Sequence, residues 1–190
     1  MKNLISIIIV LSLSILGCTE NGDLVSPNSS QNGTTQIAPN WLKFPAADQS
    51  RLNKITTVSQ SIDGSIGGSI TLFDEYSGGP FQFVYVEAEI QFNPGAYYGT
   101  KNITLSVDDN DCIVEFGPSS VFEIPANYTM TITGLDLSNV NVSQIDFVYL
   151  RVDGTTEAVA YDKIDVDVAK GKIKVLNAKL DHFSRYGWVN

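Results

Sequence analysis

The chain predicts an all-β fold, a sandwich or barrel of antiparallel strands, and three observations carry that reading. Stretches such as "FQFVYVEAEIQF" alternate apolar and polar residues, the period-2 signature of a half-buried strand. Gly, Pro, Asn and Asp punctuate these stretches at short intervals, as turns require. No helical periodicity of useful length appears beyond the N-terminal apolar run.

The first 17 residues read as a signal peptide. Lys2 gives a positive start, and Leu4 to Leu16 is an almost unbroken apolar run of 13 residues. A bilayer-spanning helix needs about 17–25 residues, so this run has the length of a signal h-region. It ends in Ile15-Leu16-Gly17-Cys18, which resembles the bacterial lipobox. The resemblance implies cleavage between Gly17 and Cys18 and acylation of the Cys18 sulfur. Two or three acyl chains then anchor the protein to a membrane without spanning it. Thr19 stands where an inner-membrane retention signal would place an aspartate, which favours the outer membrane of a bacterial cell envelope.

Residues 18–53 form the tether. "TENGDLVSPNSSQNGTTQIAPN" is rich in Asn, Ser, Thr and Gly and lacks apolar periodicity. Within the following "WLKFPAADQSRLNK", Trp41, Leu42 and Phe44 are expected to dock onto the edge of the domain.

From residue 54 to residue 190 the texture is β. In "FQFVYVEAEIQF" Val84, Val86, Ala88, Ile90 and Phe92 share one face. "YTMTITGL", "IDFVYLRV", "EAVAY", "KIDVDV" and "KIKVLNAKL" continue the pattern, with Ile164, Val166 and Val168 expected to point inward. Cys112, Val114 and Phe116 share a face of "CIVEF", which makes Cys112 a small core residue. The glycines of "SIGGSI" are read inside a strand pattern, with no Lys or following helix to make a phosphate cradle.

Charge and cysteine count exclude several functions. Of 12 Lys and Arg and 21 Asp and Glu, signal removal takes only Lys2, so the mature charge is 11 − 21 = −10. Such a surface repels nucleic acid, and no basic stripe interrupts it. With Cys18 acylated, Cys112 has no disulfide partner. One histidine and one thiol leave zinc almost without ligands, and no cofactor is expected.

Several pieces then resemble, in order, the zona-occludens/uncoordinated-five (ZU-five) domain. They are the Gly-Gly of "SIDGSIGGSITL", the Pro94-Gly95-Ala96 corner, the Gly117-Pro118 turn with Phe122 and Pro125, "VYLRVDG", and the closing His182-Phe183-Ser184. The resemblance spans roughly Ser61 to Trp188. It implies an antiparallel β-sandwich and a habit of binding other proteins.

Some members of that family cut themselves between Phe and Ser of the same tripeptide. Carried over, His182 would take the Ser184 proton and the Ser184 oxygen would attack the Phe183 carbonyl. Residues two apart on a regular strand lie about 6.6 Å apart, so a direct contact requires a kinked strand. Cleavage would also free only Ser184 to Asn190. The reading preferred here is structural: Phe183 plugs the core, while His182 and Ser184 bond to backbone.

"DDNDC" sets Asp108, Asp109 and Asp111 between strands. A calcium ion favours such oxygen clusters, yet Asp and Asn also dominate turns, and the Gly and distant Glu of a calcium loop are missing. Tyr76, Phe81, Phe83, Tyr85, Tyr97 and Tyr98 are candidates for a carbohydrate-binding face, if they do not pack across strands. The function expected is that of a lipid-anchored, non-enzymatic interaction or structural module, its partner an envelope protein or glycan. Self-cleavage and glycan binding are the alternatives.

Overall fold

A computed structural model describes residues 39–47 and 55–190. Among these, eleven strands run in the order β1 (Thr56–Asp63), β2 (Gly68–Ser77), β3 (Phe83–Phe92), β4 (Thr100–Val107), β5 (Ile113–Gly117), β6 (Val121–Thr133), β7 (Asp146–Leu150), β8 (Thr156–Ala158), β9 (Lys163–Asp167), β10 (Lys172–His182) and β11 (Arg185–Val189). They form two antiparallel sheets. One has six strands in the order β1-β4-β5-β11-β7-β8, the other five in the order β2-β3-β6-β10-β9. The inner faces share one apolar core, as the sandwich reading requires.

Strand β3 shows how the sequence enforces this. Val84, Val86, Ala88, Ile90 and Phe92 are buried, while Phe83, Tyr85, Glu87, Glu89 and Gln91 are exposed. Pairing sets Ile70 opposite Ile90 and Leu72 opposite Ala88, so the neighbouring strand buries the same face. A one-residue slip would turn every one of these side chains outward, which fixes the register.

Cys112 is fully buried beside Val114 and Phe116, as expected. Burial pushes its thiol well above the ordinary range, with Asp111 and Asp108 adding to the effect. The docking expectation also holds. Leu42 donates its N–H to the Trp188 carbonyl (2.8 Å), and Cys112 donates to the Leu42 carbonyl (2.8 Å). Trp41 bridges Val189, Lys43 bridges Asp111, and Ala47 bridges Gly78. Leu42 and Phe44 are buried, each contributing roughly 1.5–3 kcal/mol by leaving water.

Two expectations are corrected. Val168 does not continue β9: it opens the 3-10 turn Val168–Lys170 and is 46% exposed. The turn closes on Gly171 at φ 56°, where an added Cβ would stand 2.1 Å from the Leu135 carbonyl oxygen, so glycine is required. Of the two glycines of "SIGGSI", the first likewise leaves the strand. Gly67 (φ 82°) lies in the turn between β1 and β2, and Gly68 opens β2 in the other sheet.

Candidate functional site

The tripeptide His182-Phe183-Ser184 occupies the joint between the two sheets. His182 is the last residue of β10, in the five-stranded sheet, and Ser184 immediately precedes β11, in the six-stranded one. Strand β10 arrives bulged. Its register against β6 slips between Val175 and Ala178, where Asn177 takes φ 53°, and again between Leu180 and His182. Extra residues of this kind bend a strand and raise its twist, which steers the chain across the sandwich.

The joint is held through its backbone. Phe183 donates its N–H to the Ser120 carbonyl (2.7 Å), and Phe116 donates to the Ser184 carbonyl (2.9 Å). The Phe183 ring is buried in an aromatic cluster. It stacks on Phe116 (centroids 5.5 Å, planes 7° apart) and meets the edges of Phe122 (4.8 Å) and Phe92 (5.7 Å). Edge-on and offset pairs of this kind add about 0.5–1.5 kcal/mol each beyond area burial.

His182 is half-buried and turns toward Tyr186. The Tyr186 hydroxyl donates to the His182 carbonyl (2.8 Å) and lies 3.3 Å from His182 Nδ1. Tyr149 packs edge-on against the imidazole at 4.5 Å. Burial raises the Tyr186 hydroxyl well above the ordinary tyrosine range, with Tyr149, Asp181 and Glu157 reinforcing it, so this phenol stays protonated. Among the described residues no hydrogen bond links the imidazole to the Ser184 hydroxyl. A cleft of about 210 Å³ opens beside the ring, lined by Tyr149, Glu157, Lys179, Asp181, His182 and Tyr186. The group is a half-buried imidazole facing a polar cleft. Sequence reasoning missed Tyr149 and Tyr186 as its partners; Tyr149 reaches it from a strand some thirty residues earlier in the chain.

The other sequence candidates are dispersed. Gly17 and Cys18 lie outside the described residues. Asp108 closes a turn on itself, its carboxylate accepting the N–H groups of Asn110 and Asp111 (both 2.8 Å). Asp111 is paired with Lys43. Among the described residues no three of His, Cys, Asp or Glu gather as metal ligands. The aromatic candidates divide: Tyr76 and Tyr97 are buried, each hydroxyl donating to a backbone carbonyl, of Pro45 and Ile62 respectively (2.9 Å). Phe81, Phe83, Tyr85 and Tyr98 are exposed, and Phe73, which the sequence reading passed over, joins them at 61% exposure.

Comparisons with protein-family models, with curated proteins and with solved structures each find no match to this chain.

Proposed function

We propose that the chain is a lipid-anchored protein of the bacterial cell envelope whose ZU-five-like sandwich is a non-enzymatic interaction or structural module. The observation that carries this reading is the use to which His182-Phe183-Ser184 is put. Phe183 fills the aromatic core, the flanking backbone groups bond to β5 and to the β5–β6 turn, and the imidazole is turned onto Tyr186. A tripeptide so committed serves as the closure of a fold. The anchor is the acylated Cys18, and the partner is an envelope protein or glycan. Phe83 and Tyr85, exposed side by side with centroids 6.2 Å apart, are the aromatic surface a sugar ring would use.

One observation favours self-cleavage as the second reading. The Phe183–Ser184 bond lies outside both strands, next to a register break, so a local kink there disturbs no strand interior. His182 would have to leave Tyr186 and reach Ser184.

Intact-mass measurement of the chain recovered from a bacterial envelope, beside Cys18→Ser and Ser184→Ala variants, tests both readings. The expected mass lacks residues 1–17, carries acyl chains that Cys18→Ser abolishes, and retains Ser184 to Asn190. Loss of that C-terminal peptide, restored by Ser184→Ala, would replace the structural reading with self-processing. An unacylated mass would overturn the anchor.

A further inference from the structure

We infer that the outer face of the five-stranded sheet is a self-complementary docking surface whose occupant is a second copy of this chain. The inference goes beyond the reading above and meets it at one point: a dimer would cover Tyr85, so a sugar could use the Phe83–Tyr85 pair only on the monomer.

The face is divided by charge. Strand order puts β2-β3 on one side of the central β6 and β10-β9 on the other. The β2-β3 half displays Glu75, Glu87 and Glu89, none of which has an ion-pair partner among the described residues, interleaved with exposed Phe73 and Tyr85. On the β10-β9 half lysines exceed acids by one: Lys163, Lys172, Lys174 and Lys179 stand against Asp165, Asp167 and Asp181. Asp165 pairs with Lys163 (3.2 Å) and Asp167 with Lys170 (3.6 Å); Lys172 and Lys174 make no ion pair among the described residues, though they stand in register opposite Asp167 and Asp165. A basic half-face is unexpected on a chain of net charge −9. Between the halves β6 presents Thr129, Thr131 and Thr133, short and neutral.

Geometry converts this division into a dimer. A two-fold axis lying between two such faces and parallel to β6 exchanges left and right, so each acidic half meets the basic half of the other copy. Register names the contacts. Cross-strand pairing gives the row Phe73, Glu87, Thr131, Lys174, Asp165; the adjacent row is Glu75, Tyr85, Thr133 and, one step past the Ile132–Ile173 pair, Lys172 and Asp167. Folded onto its mate, the first row sets Glu87 against Lys174 and Thr131 against Thr131. The second sets the ring of Tyr85 against the ammonium of Lys172, a cation–π arrangement. The like-charged Glu75 and Asp167 meet only at the rim, where water screens them. Five strands about 4.8 Å apart, displayed over some 25 Å, give roughly 600 Å² per copy, and the doubled area clears the ~1,000 Å² of a specific interface.

The test is the oligomeric state of the full chain in a mild detergent, read by light scattering corrected for the micelle. The monomer is 20.7 kDa. A dimer is expected near 0.15 M salt and a monomer near 1 M, where the screening length shrinks to about 3 Å. Lys172→Glu with Lys174→Glu should be monomeric, as should Glu87→Lys with Glu89→Lys. An equimolar mixture of these two variants should recover the dimer mass, because both two-fold contacts become attractive again. A monomeric wild type at tens of micromolar in low salt would overturn the inference. So would a dimer that both charge reversals leave intact. Far-ultraviolet circular dichroism of each variant confirms that it is folded, and the wild-type salt series decides the question even if one variant is not.

Discussion

The Tyr186 hydroxyl spans the closing turn, donating to the His182 carbonyl at 2.8 Å while its oxygen lies 3.3 Å from Nδ1 of the same residue. A phenol has one hydrogen, and the shorter bond claims it. Nδ1 must therefore be the donor in the second contact, which fixes the neutral imidazole with its proton on Nδ1 and its lone pair on Nε2. Nitrogen NMR of His182 above pH 8 is expected to show that tautomer. In Tyr186→Phe the preference should relax toward the form usual in water, and the lost hydroxyl should cost about 1 kcal/mol in urea unfolding.

Phe183 and Ser184 are neighbours with opposite burdens. Phe183 is 2% exposed among Phe92, Phe116 and Phe122, whereas the Ser184 side chain has no hydrogen bond to a described residue. Phe183→Ala should lose about 3–5 kcal/mol through lost transfer energy and a cavity. Ser184→Ala should stay within about 0.5 kcal/mol. Denaturant midpoints at constant m-value check both. Comparable losses at the two positions would contradict the closure role assigned to the phenylalanine.

Three surface turns repeat one device. Asp63, Asp136 and Asp153 each accept from the hydroxyl and the backbone N–H of a Ser or Thr two residues on: Ser65, Ser138 and Thr155. Those bonds, the hydroxyl's first, hold all three carboxyls below the ordinary aspartate value. The sign follows directly. The unfolded chain takes up protons at higher pH than the folded one, so this stabilisation is complete above the ordinary value of about 3.9 and is lost as pH falls through the depressed folded values. Stability should be flat in this respect near neutrality and decline below about pH 4. The triple variant Ser65→Ala, Ser138→Ala, Thr155→Ala should show a shallower acid limb. An unchanged limb would remove these turns from the account.

How much of this was legible in the chain depends on the range of the interaction. Alternation within β3 named its buried face residue by residue, because a strand's period is local. Cys112, Leu42 and Phe44 were legible for the same reason: small or apolar side chains in apolar runs go inside. Val168 was misread because a period-2 count cannot detect that Gly171 needs a left-handed turn three residues later. The partners of His182 were not legible. Tyr149 reaches it from β7, and the bulges in β10 that turn the ring have no local sequence signal beyond Asn177. Nor was the charge division of the outer face, which exists only once β2-β3 and β10-β9 are set on opposite sides of β6.

Tyr128 sits at the centre of the core and carries a flaw. Its ring is fully buried, edge-on to Phe116 at 5.1 Å and stacked near Phe147 at 5.7 Å, but its hydroxyl has no hydrogen-bond partner among the described residues. Burial alone drives the phenol well above its ordinary range, so the group is neutral but unsatisfied. An unpaired buried hydroxyl costs about 1–3 kcal/mol, and removing the oxygen leaves only a small void. Tyr128→Phe is therefore expected to raise stability by about 1 kcal/mol, a gain of roughly 2–4 °C in Tm for a domain of this size. Calorimetry of the two chains side by side decides it. A loss of similar size would mean that the hydroxyl is paired, with an internal water as the natural candidate, and the Trp188 indole N–H, also buried without a partner among the described residues, would be the next group to examine.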